Sequence, residues 1–576
     1  MQKITKRIQE RRFAISHILN YLIKYKWLFA ILLIGLGLRI PHLFMEFTDH
    51  HSWKSLRHVM AATNFYYYDD YLHTRVDFFF GVGDAQSAHI HGLVSWDEAP
   101  LLNYLVLLSY YLFGVHIWSA RIVPMLFSIG SMLLLFKLGK ETHNEKMGLF
   151  AALFFAISPL EAYFAGNVQG EPLMVFSGIL LLYILITCLR KPMACITDIF
   201  IIILAMTLCI VSKLSFLFIL PPIVLATFYI YLKKENIWRV ITPVIVVLIA
   251  TIISLVAINL LDISMVINWL IGRIIGFFKG SYISPGHMEA IYFTKLVFYE
   301  TIGNRILIGF SPIVFLFFGS EIITIFKKYI AYKVIDIDDL IITSFLAGVL
   351  LKFLIVSRAV YVHDYYILPL IIPVVYLASK NASSVNIGEI KQYVSKKILI
   401  LGAIFAIITI LSIIIFKYAL ILSLLLIIIL LFARHFPTIN ITKNQIRMIS
   451  LFLIILSIGV IVVSIHNLYS INANFIASSN YIKSHTEKGD YIIAHHPAFM
   501  YYSERAGFMI LPKMDKTWLD GITKEYNITY MVTDNRTIKY LKINNSFITQ
   551  NFEAVYVDGE GDNAEIVYKL IKKNKK

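Results

Sequence analysis

The recurrence of long apolar runs constrains this chain more than any single motif. They lie near residues 27–44, 121–139, 147–159, 171–188, 196–212, 214–232, 240–262, 305–326, 339–357, 365–379, 397–416, 418–433 and 448–468. A run of roughly 17–25 apolar residues is what a helix needs to cross the hydrocarbon slab. Composition agrees: 58% of the 576 residues are hydrophobic and only 15% are charged, against about 45–50% and about 25% in soluble domains. The sequence therefore predicts a polytopic α-helical membrane protein with about 13 transmembrane helices.

Charge then sets the threading. The formal net charge of +16 does not point to nucleic acid, because no basic patch is interleaved with aromatics on a soluble domain. Instead Lys and Arg gather on alternate loops: KLGKETHNEK (137–146), LRKP (189–192), KKENIWR (233–239), KKYIAYK (327–333), and the loops 380–397 and 434–447. These are the expected cytoplasmic loops. The opposite loops carry none at 160–170 and only Lys213 at the 212–214 turn. Counting PLLNYLVLLSYYLFG (100–114) as a span would invert every later loop, so it is expected to be an interfacial or re-entrant helix on the outer face, ending at Gly114. The basic MQKITKRIQERRF segment, followed by an apolar run without a small-residue cleavage site, reads as the cytoplasmic end of a retained first helix. Residues 45–120, 263–304 and everything after about 469 are then extracytoplasmic. Cys188, Cys195 and Cys209 fall in or beside apolar runs and imply no disulfide framework.

The tail has a different texture. DYIIAH (490–495), ITYMVTD (528–534) and FEAVYV (552–557) carry the β-branched and aromatic bias of strands. HPAFMYYSERAG and TWLDGITKEYN between them suggest helices, the first stopping at Gly507. Two domains are expected: a transmembrane domain over 1–468, whose first outer loop is 45–120, and a small extracytoplasmic α/β domain over 469–576.

Polar residues crowd into that first loop, which at about 75 residues is long enough to suggest a function. Asp49, in FTDHHSW, lies just past the first apolar run, and Asp97-Glu98 stand before Ala-Pro and the 100–114 segment. A carboxylate at the membrane–water boundary can serve as general base toward an acceptor hydroxyl while a lipid-phosphate-linked sugar is attacked at its anomeric carbon. The phosphate leaving group needs cationic or hydrogen-bonding partners. Candidates are Lys54 and Arg57 in the loop, Lys213 and Arg305 at span ends, and Arg358 and His363 in SRAVYVHDYY, followed by Tyr365 and Tyr366. Each also has a plainer structural reading. Asp49 can be a helix-end acid, Asp97-Glu98 and Glu171 can be helix-start acids, and the tyrosines can be interfacial anchors. The sequence makes no cofactor certain. A divalent cation could be held by His50, His51, His89 and His91, but no Cys or tightly spaced carboxylate set completes a recognisable site.

In order along the chain stand TDHHSWK (48–54), DEAPLLNYLVLLSYYLFG (97–114), ARIVPMLF (120–127), ISPLEAYFAGNVQGEPL (157–173) and HDYYILPLIIP (363–373). This ordered set resembles the dolichyl-phosphate-mannose–protein mannosyltransferase-like superfamily of GT-C glycosyltransferases, which includes protein O-mannosyltransferases and the lipid A aminoarabinose transferases. The resemblance implies a GT-C fold and a polyprenyl-phosphate sugar donor used on the outer face of the cell membrane. It implies that Asp49 is the catalytic base, that Glu98 or the Asp97-Glu98 pair is the second acid, and that the His363–Tyr366 region lies near the lipid phosphate or acceptor. The chain departs from some relatives in its paired histidines after Asp49 and in Lys54 where they place Arg. The expected reaction is inverting transfer to a lipid, glycan or protein acceptor. Substrate-binding roles are expected for Asp97, Arg57, Arg358, His363, Tyr365 and Tyr366.

Two other function classes compete. A polytopic transporter or lipid flippase predicts ionisable residues along a central path and an internal repeat, neither of which is visible in the sequence. A membrane-anchored scaffold for cell-wall assembly needs no cavity.

Overall fold

The structure is a computed structural model that describes residues 24–49, 51–69, 71, 76, 78–79, 100–191, 196–233, 296–384, 458–459, 461–464, 469, 474–510 and 514–571. The expected spans at 240–262, 397–416 and 418–433, and most of 448–468, lie outside these residues. The chain divides into two compact units: Met1–Pro41, Met125–Ala165 and Glu171–Asn467 form one, and His42–Pro124, Gly166–Gly170 and Leu468–Lys576 form the other.

The first unit is helical. Among the described residues, four helices are long and apolar enough to cross a membrane: Lys26–Leu43, Ile117–Thr142, Gly170–Arg190 and Asp364–Ser383, the last opening with a 3-10 turn. Shorter apolar helices accompany them. The helix Pro312–Tyr332 packs on Ile371–Ser383, which also packs on Glu145–Ala156, and Leu220–Lys233 packs on Ile337–Ile355. Local chemistry sets several starts. Asn144 accepts a hydrogen bond from the Met147 N–H, and Pro159 and Pro312 occupy first-turn positions where a missing N–H costs nothing. Gly348 lets two segments approach closely, since a Cβ there would fall 2.2 Å from the Ile219 carbonyl oxygen. The fully buried Arg39 donates to Ser128 Oγ, to the Gly35 and Ala156 carbonyls and to Glu161, so its charge and its donors are satisfied together.

The second unit joins two distant stretches of sequence. Helix Ser52–Tyr68 packs on Leu101–Phe113, tied by His58 Nδ1 to Asn103 Oδ1 at 2.7 Å and by stacked Phe65 and Tyr104 rings 5.4 Å apart. The expected helix at 100–114 is thus present, and it ends at Gly114, whose φ of 83° suits a residue without a Cβ. The tail forms a sheet with strands β1 (Phe78–Phe79), β2 (Tyr491–Ala494), β3 (Gly507–Met509), β4 (Ile528–Asp534), β5 (Phe552–Asp558) and β6 (Glu565–Leu570), in the order β1-β3-β2-β4-β6-β5. The β1–β3, β3–β2 and β2–β4 pairings are parallel, whereas β4–β6 and β6–β5 are antiparallel. Ile493, Phe508, Met531, Ile522 and Leu519 form the centre of its core.

The three expected strands are β2, β4 and β5, and the TWLDGITKEYN helix is Lys516–Glu525, capped by Asp515 through the Trp518 N–H. The helix expected to stop at Gly507 instead ends at Ser503, where Glu504 takes a left-handed conformation at φ 55°. Gly507 opens β3 because its backbone lies against β2: a Cβ there would be 2.3 Å from the Ile492 carbonyl oxygen. That close approach is a tertiary fact, which local punctuation reads as a helix stop.

Candidate functional site

Asp49 follows the turn that leaves the first helix, and its carbonyl accepts from the Ser52 N–H at 3.0 Å as the next helix begins. Its carboxylate is buried, and His42 and Arg121 approach one of its oxygens. His42 Nε2 lies 2.5 Å from Asp49 Oδ2, and Arg121 Nη2 lies 3.5 Å from the same oxygen. Gly166 makes room for the ring, since a Cβ there would fall 2.5 Å from His42 Nδ1.

Arg121 organises the segment that leads into Asp49. Its Nε donates to the Met45 carbonyl at 3.0 Å, Nη2 to the Glu46 carbonyl at 2.8 Å and Nη1 to the Gly166 carbonyl at 2.9 Å. Nη1 also sits 2.8 Å from His42 Nε2, and the guanidinium lies 4.4 Å over the Phe47 ring. A rigid planar fork can hold several carbonyls and a carboxylate at once, which an ammonium cannot. The same segment is held from the tail. The Phe47 N–H donates to Tyr502 Oη at 2.6 Å, and Tyr502 donates to Glu46 Oε2 at 2.8 Å. Burial, then the Glu46 charge, pushes the Tyr502 phenol well above its ordinary range, so it stays a donor.

His496 completes these surroundings. Its ring meets Trp53 edge-on at 5.5 Å and stacks on Phe475 at 4.7 Å. The Ala498 N–H donates to its Nδ1 at 3.2 Å, which leaves the proton on Nε2. Burial and the neighbouring His495 push its pKa down to about 3, against the opposing pull of Asp49, so His496 is a neutral donor across the physiological range.

The helical unit carries a second polar cluster. Glu171 and Lys213, both buried, form an ion pair, and Lys213 Nζ lies 4.5 Å and 4.6 Å from the ring centres of Tyr365 and Tyr366. Such placement over aromatic faces is a cation–π contact. His363 stacks on Tyr365 at 5.0 Å, and Lys352 Nζ donates to the Tyr366 carbonyl at 3.2 Å. Arg305 Nη1 donates to the Val360 and Tyr361 carbonyls, which shapes the turn before His363.

Of the residues singled out in the sequence, Asp49 sits in the first cluster, and His363, Tyr365 and Tyr366 sit in the second. Arg358 is half-buried on the short helix Ser357–Val362, and Arg57 is half-buried on Ser52–Tyr68. Asp97, Glu98, His50, His89 and His91 lie outside the described residues. His51 is described, at φ 63°, with its carbonyl accepting from Gln169 Nε2 at 3.2 Å at the start of that helix. Sequence reasoning missed the roles of His42, Arg121, His496 and Tyr502. It read Glu171 as a helix-start acid, and Glu171 does stand in the first turn of Gly170–Arg190, but its pairing with Lys213 was not foreseen. The available signal was an ionisable residue inside or beside an apolar run, as in PHLF and ARIVP, where an uncompensated charge is costly.

Comparison with known proteins agrees with this architecture. The model of the family described as dolichyl-phosphate-mannose-protein mannosyltransferase matches residues 97–260. Among curated proteins, the mannosyltransferase-like YkcB of Bacillus subtilis (strain 168) is 28% identical over 115 residues, 20% of this chain and 15% of that protein. The mannosyltransferase-like YycA of the same organism is 29% identical over 89 residues, 16% of this chain and 13% of that protein. Among solved structures, ArnT from Cupriavidus metallidurans bound to undecaprenyl phosphate is similar with a TM-score of 0.61 and 14% identity, covering 95% of this chain and 98% of that one. The archaeal oligosaccharyltransferase AglB from Archaeoglobus fulgidus, in complex with an inhibitory peptide and a dolichol-phosphate, gives a TM-score of 0.52 at 11% identity, covering 95% of this chain and 74% of that one. At such identities the structural likeness is one of fold. The protein is a membrane protein that shares the fold of these two structures, and over residues 97–260 it matches the dolichyl-phosphate-mannose-protein mannosyltransferase model. Its matched sequence relatives are mannosyltransferase-like proteins.

Proposed function

We propose that this protein transfers a sugar from a polyprenyl phosphate to a lipid, glycan or protein acceptor, with inversion at the anomeric carbon and Asp49 as the general base. The observation that carries the reading is the fixed, buried Asp49 carboxylate, held through Oδ2 by His42 and Arg121. In the proposed reaction the acceptor oxygen attacks the anomeric carbon, the bond from that carbon to the phosphate oxygen breaks, and the acceptor proton passes to Asp49 Oδ1. The leaving polyprenyl phosphate is already an anion and needs cations rather than protonation. Lys213, set over Tyr365 and Tyr366, together with His363 and Arg358, is the group we assign to that phosphate. Glu98, Asp97 and Arg57 are assigned to substrate contacts on the sequence resemblance alone.

The fold shared with a structure holding undecaprenyl phosphate and with one holding dolichol-phosphate supports the choice of carrier. The expected topology has about 13 spans, a cytoplasmic N-terminus and an extracytoplasmic tail. It rests on the positive-inside distribution of the loops.

The decisive measurement is sugar transfer by purified protein supplied with polyprenyl-phosphate sugars, comparing the native chain with Asp49→Asn. Loss of a general base lowers the rate by about 10²–10⁴-fold. Undiminished transfer by a folded Asp49→Asn protein would overturn the assignment. The donor and acceptor classes are named by mass spectrometry of envelope lipids and glycans from a deletion strain against its complement.

A further inference from the structure

The end of the C-terminal sheet gathers three ligand types that the transfer reaction does not use. His495 follows the last residue of β2, Asp534 ends β4 and Glu565 begins β6, so three neighbouring strands each supply one group at the same end of the sheet. Asp534 and Glu565 are direct partners across the antiparallel ladder, and the His495 N–H donates to the Val532 carbonyl at 3.3 Å. One donor atom from each of the three residues lies within 4.8 Å of the other two.

Their surroundings are hard to account for without a positive charge. Like charges directly opposite in a ladder repel. Here Asp558, the next cross-strand partner of Glu565, adds a third acid. The Glu565 side chain is 1% exposed, and its Oε2 has no hydrogen-bond partner among the described residues. The same is true of His495 Nδ1 and Asp558 Oδ2. His495 Nε2 lies 3.7 Å from Glu565 Oε1. Asp534 and Asp558, its ladder partners on either side, both bring negative charge next to Glu565. A buried polar atom without a partner is uncommon and calls for an explanation.

We propose that His495, Asp534 and Glu565 bind a divalent first-row transition cation. One imidazole and two carboxylates suit Zn²⁺ or Mn²⁺, whereas an all-oxygen set would suit Ca²⁺ or Mg²⁺. Ligands at about 2.0–2.2 Å around a tetrahedral cation lie about 3.4 Å from one another, so the 3.7 Å separation of Nε2 and Oε1 needs only a small side-chain adjustment. Asp534 is already oriented, because its Oδ1 accepts from the Thr537 N–H. The cation would fasten the His495–Pro497 turn to β4 and β6. It would thereby hold His496 against Trp53 and beside Asp49.

The test uses the full-length chain in detergent, stripped with EDTA, re-equilibrated with Zn²⁺ and washed, with bound metal measured by elemental mass spectrometry. The expected result is an equimolar amount of Zn²⁺ and a raised melting temperature. Both should be lost in His495→Gln and in Glu565→Gln and retained in the exposed control Asp562→Asn. Metal below the equimolar level in folded native protein, or unchanged metal in a folded His495→Gln or Glu565→Gln protein, would overturn the site. If Glu565→Gln fails to fold, His495→Gln and Asp534→Asn carry the same comparison. The readout is metal content, so its failure is distinct from failure of sugar transfer.

Discussion

Arg121 in one unit and Lys213 in the other are both almost entirely buried, and both face a buried carboxylate. Arg121 spends its donors on Met45, Glu46 and Gly166 carbonyls as well as on Asp49, so its charge is bound up with the path of the backbone. Lys213 meets Glu171 and the faces of Tyr365 and Tyr366. The first arrangement is a clamp that fixes a carboxylate by fixing the chain around it. The second is a compact cation on a flexible stem, able to shift toward an incoming anion without unravelling a turn.

The largest expected effect comes from breaking the clamp. Arg121→Met should destabilise the protein by about 3–5 kcal/mol, because it leaves the Met45, Glu46 and Gly166 carbonyls without their donor and takes the guanidinium from a carboxylate that His42 still contacts. Thermal unfolding in detergent measures it. A loss under about 1 kcal/mol would show that the fork is not needed.

Double substitutions sharpen the contrast. Glu171→Gln with Lys213→Met removes both charges, so it should recover most of the roughly 3–5 kcal/mol expected from Lys213→Met alone. Asp49→Asn with Arg121→Met should recover little, because three carbonyls remain without their donor. Equal recovery in the two pairs would erase the distinction between clamp and mobile cation.

A third expectation belongs to the unit with the sheet and concerns pH. In metal-free protein, burial and the acids beside it let native Glu565 keep its proton to about pH 8, whereas the unfolded chain releases it near the ordinary glutamate value of 4.5. The native state therefore binds more protons across that window. Stability should fall as pH rises from about 5 to 8, by up to about 1.4 kcal/mol per pH unit, and then level off. Glu565→Gln should flatten the slope in a denaturation series. A slope unchanged by Glu565→Gln would assign it to other groups.

The smallest effect tests the fit around His42. Gly166→Ala places a methyl group against the imidazole and should cost about 1–3 kcal/mol. A shift in the pH–rate profile of transfer is expected with it, since the Asp49 partner is displaced. A stability loss with an unchanged profile would make Gly166 a packing residue only.

Much of this architecture is visible in the sequence. Run length and Lys/Arg asymmetry indicate a polytopic membrane chain, and β-branched alternation marks β2, β4 and β5, because these are local consequences of burying apolar surface with a fixed period. The acid-rich first loop and the ordered motifs single out Asp49, and the 100–114 segment reads as a helix ending at its glycine. Short strands such as β1 and β3 carry too few residues for a period to show.

Only the tertiary structure decides that residues 42–124 and 468–576 make one unit, with Tyr502 bonded to Glu46 and His496 set against Trp53. It also decides that Arg121 reaches Asp49, that Lys213 reaches Glu171, and that three strand ends converge on Glu565. Periodicity records which face of an element is buried. It does not record which distant carboxylate a buried cation will neutralise, because that partner is chosen by packing between segments far apart in sequence.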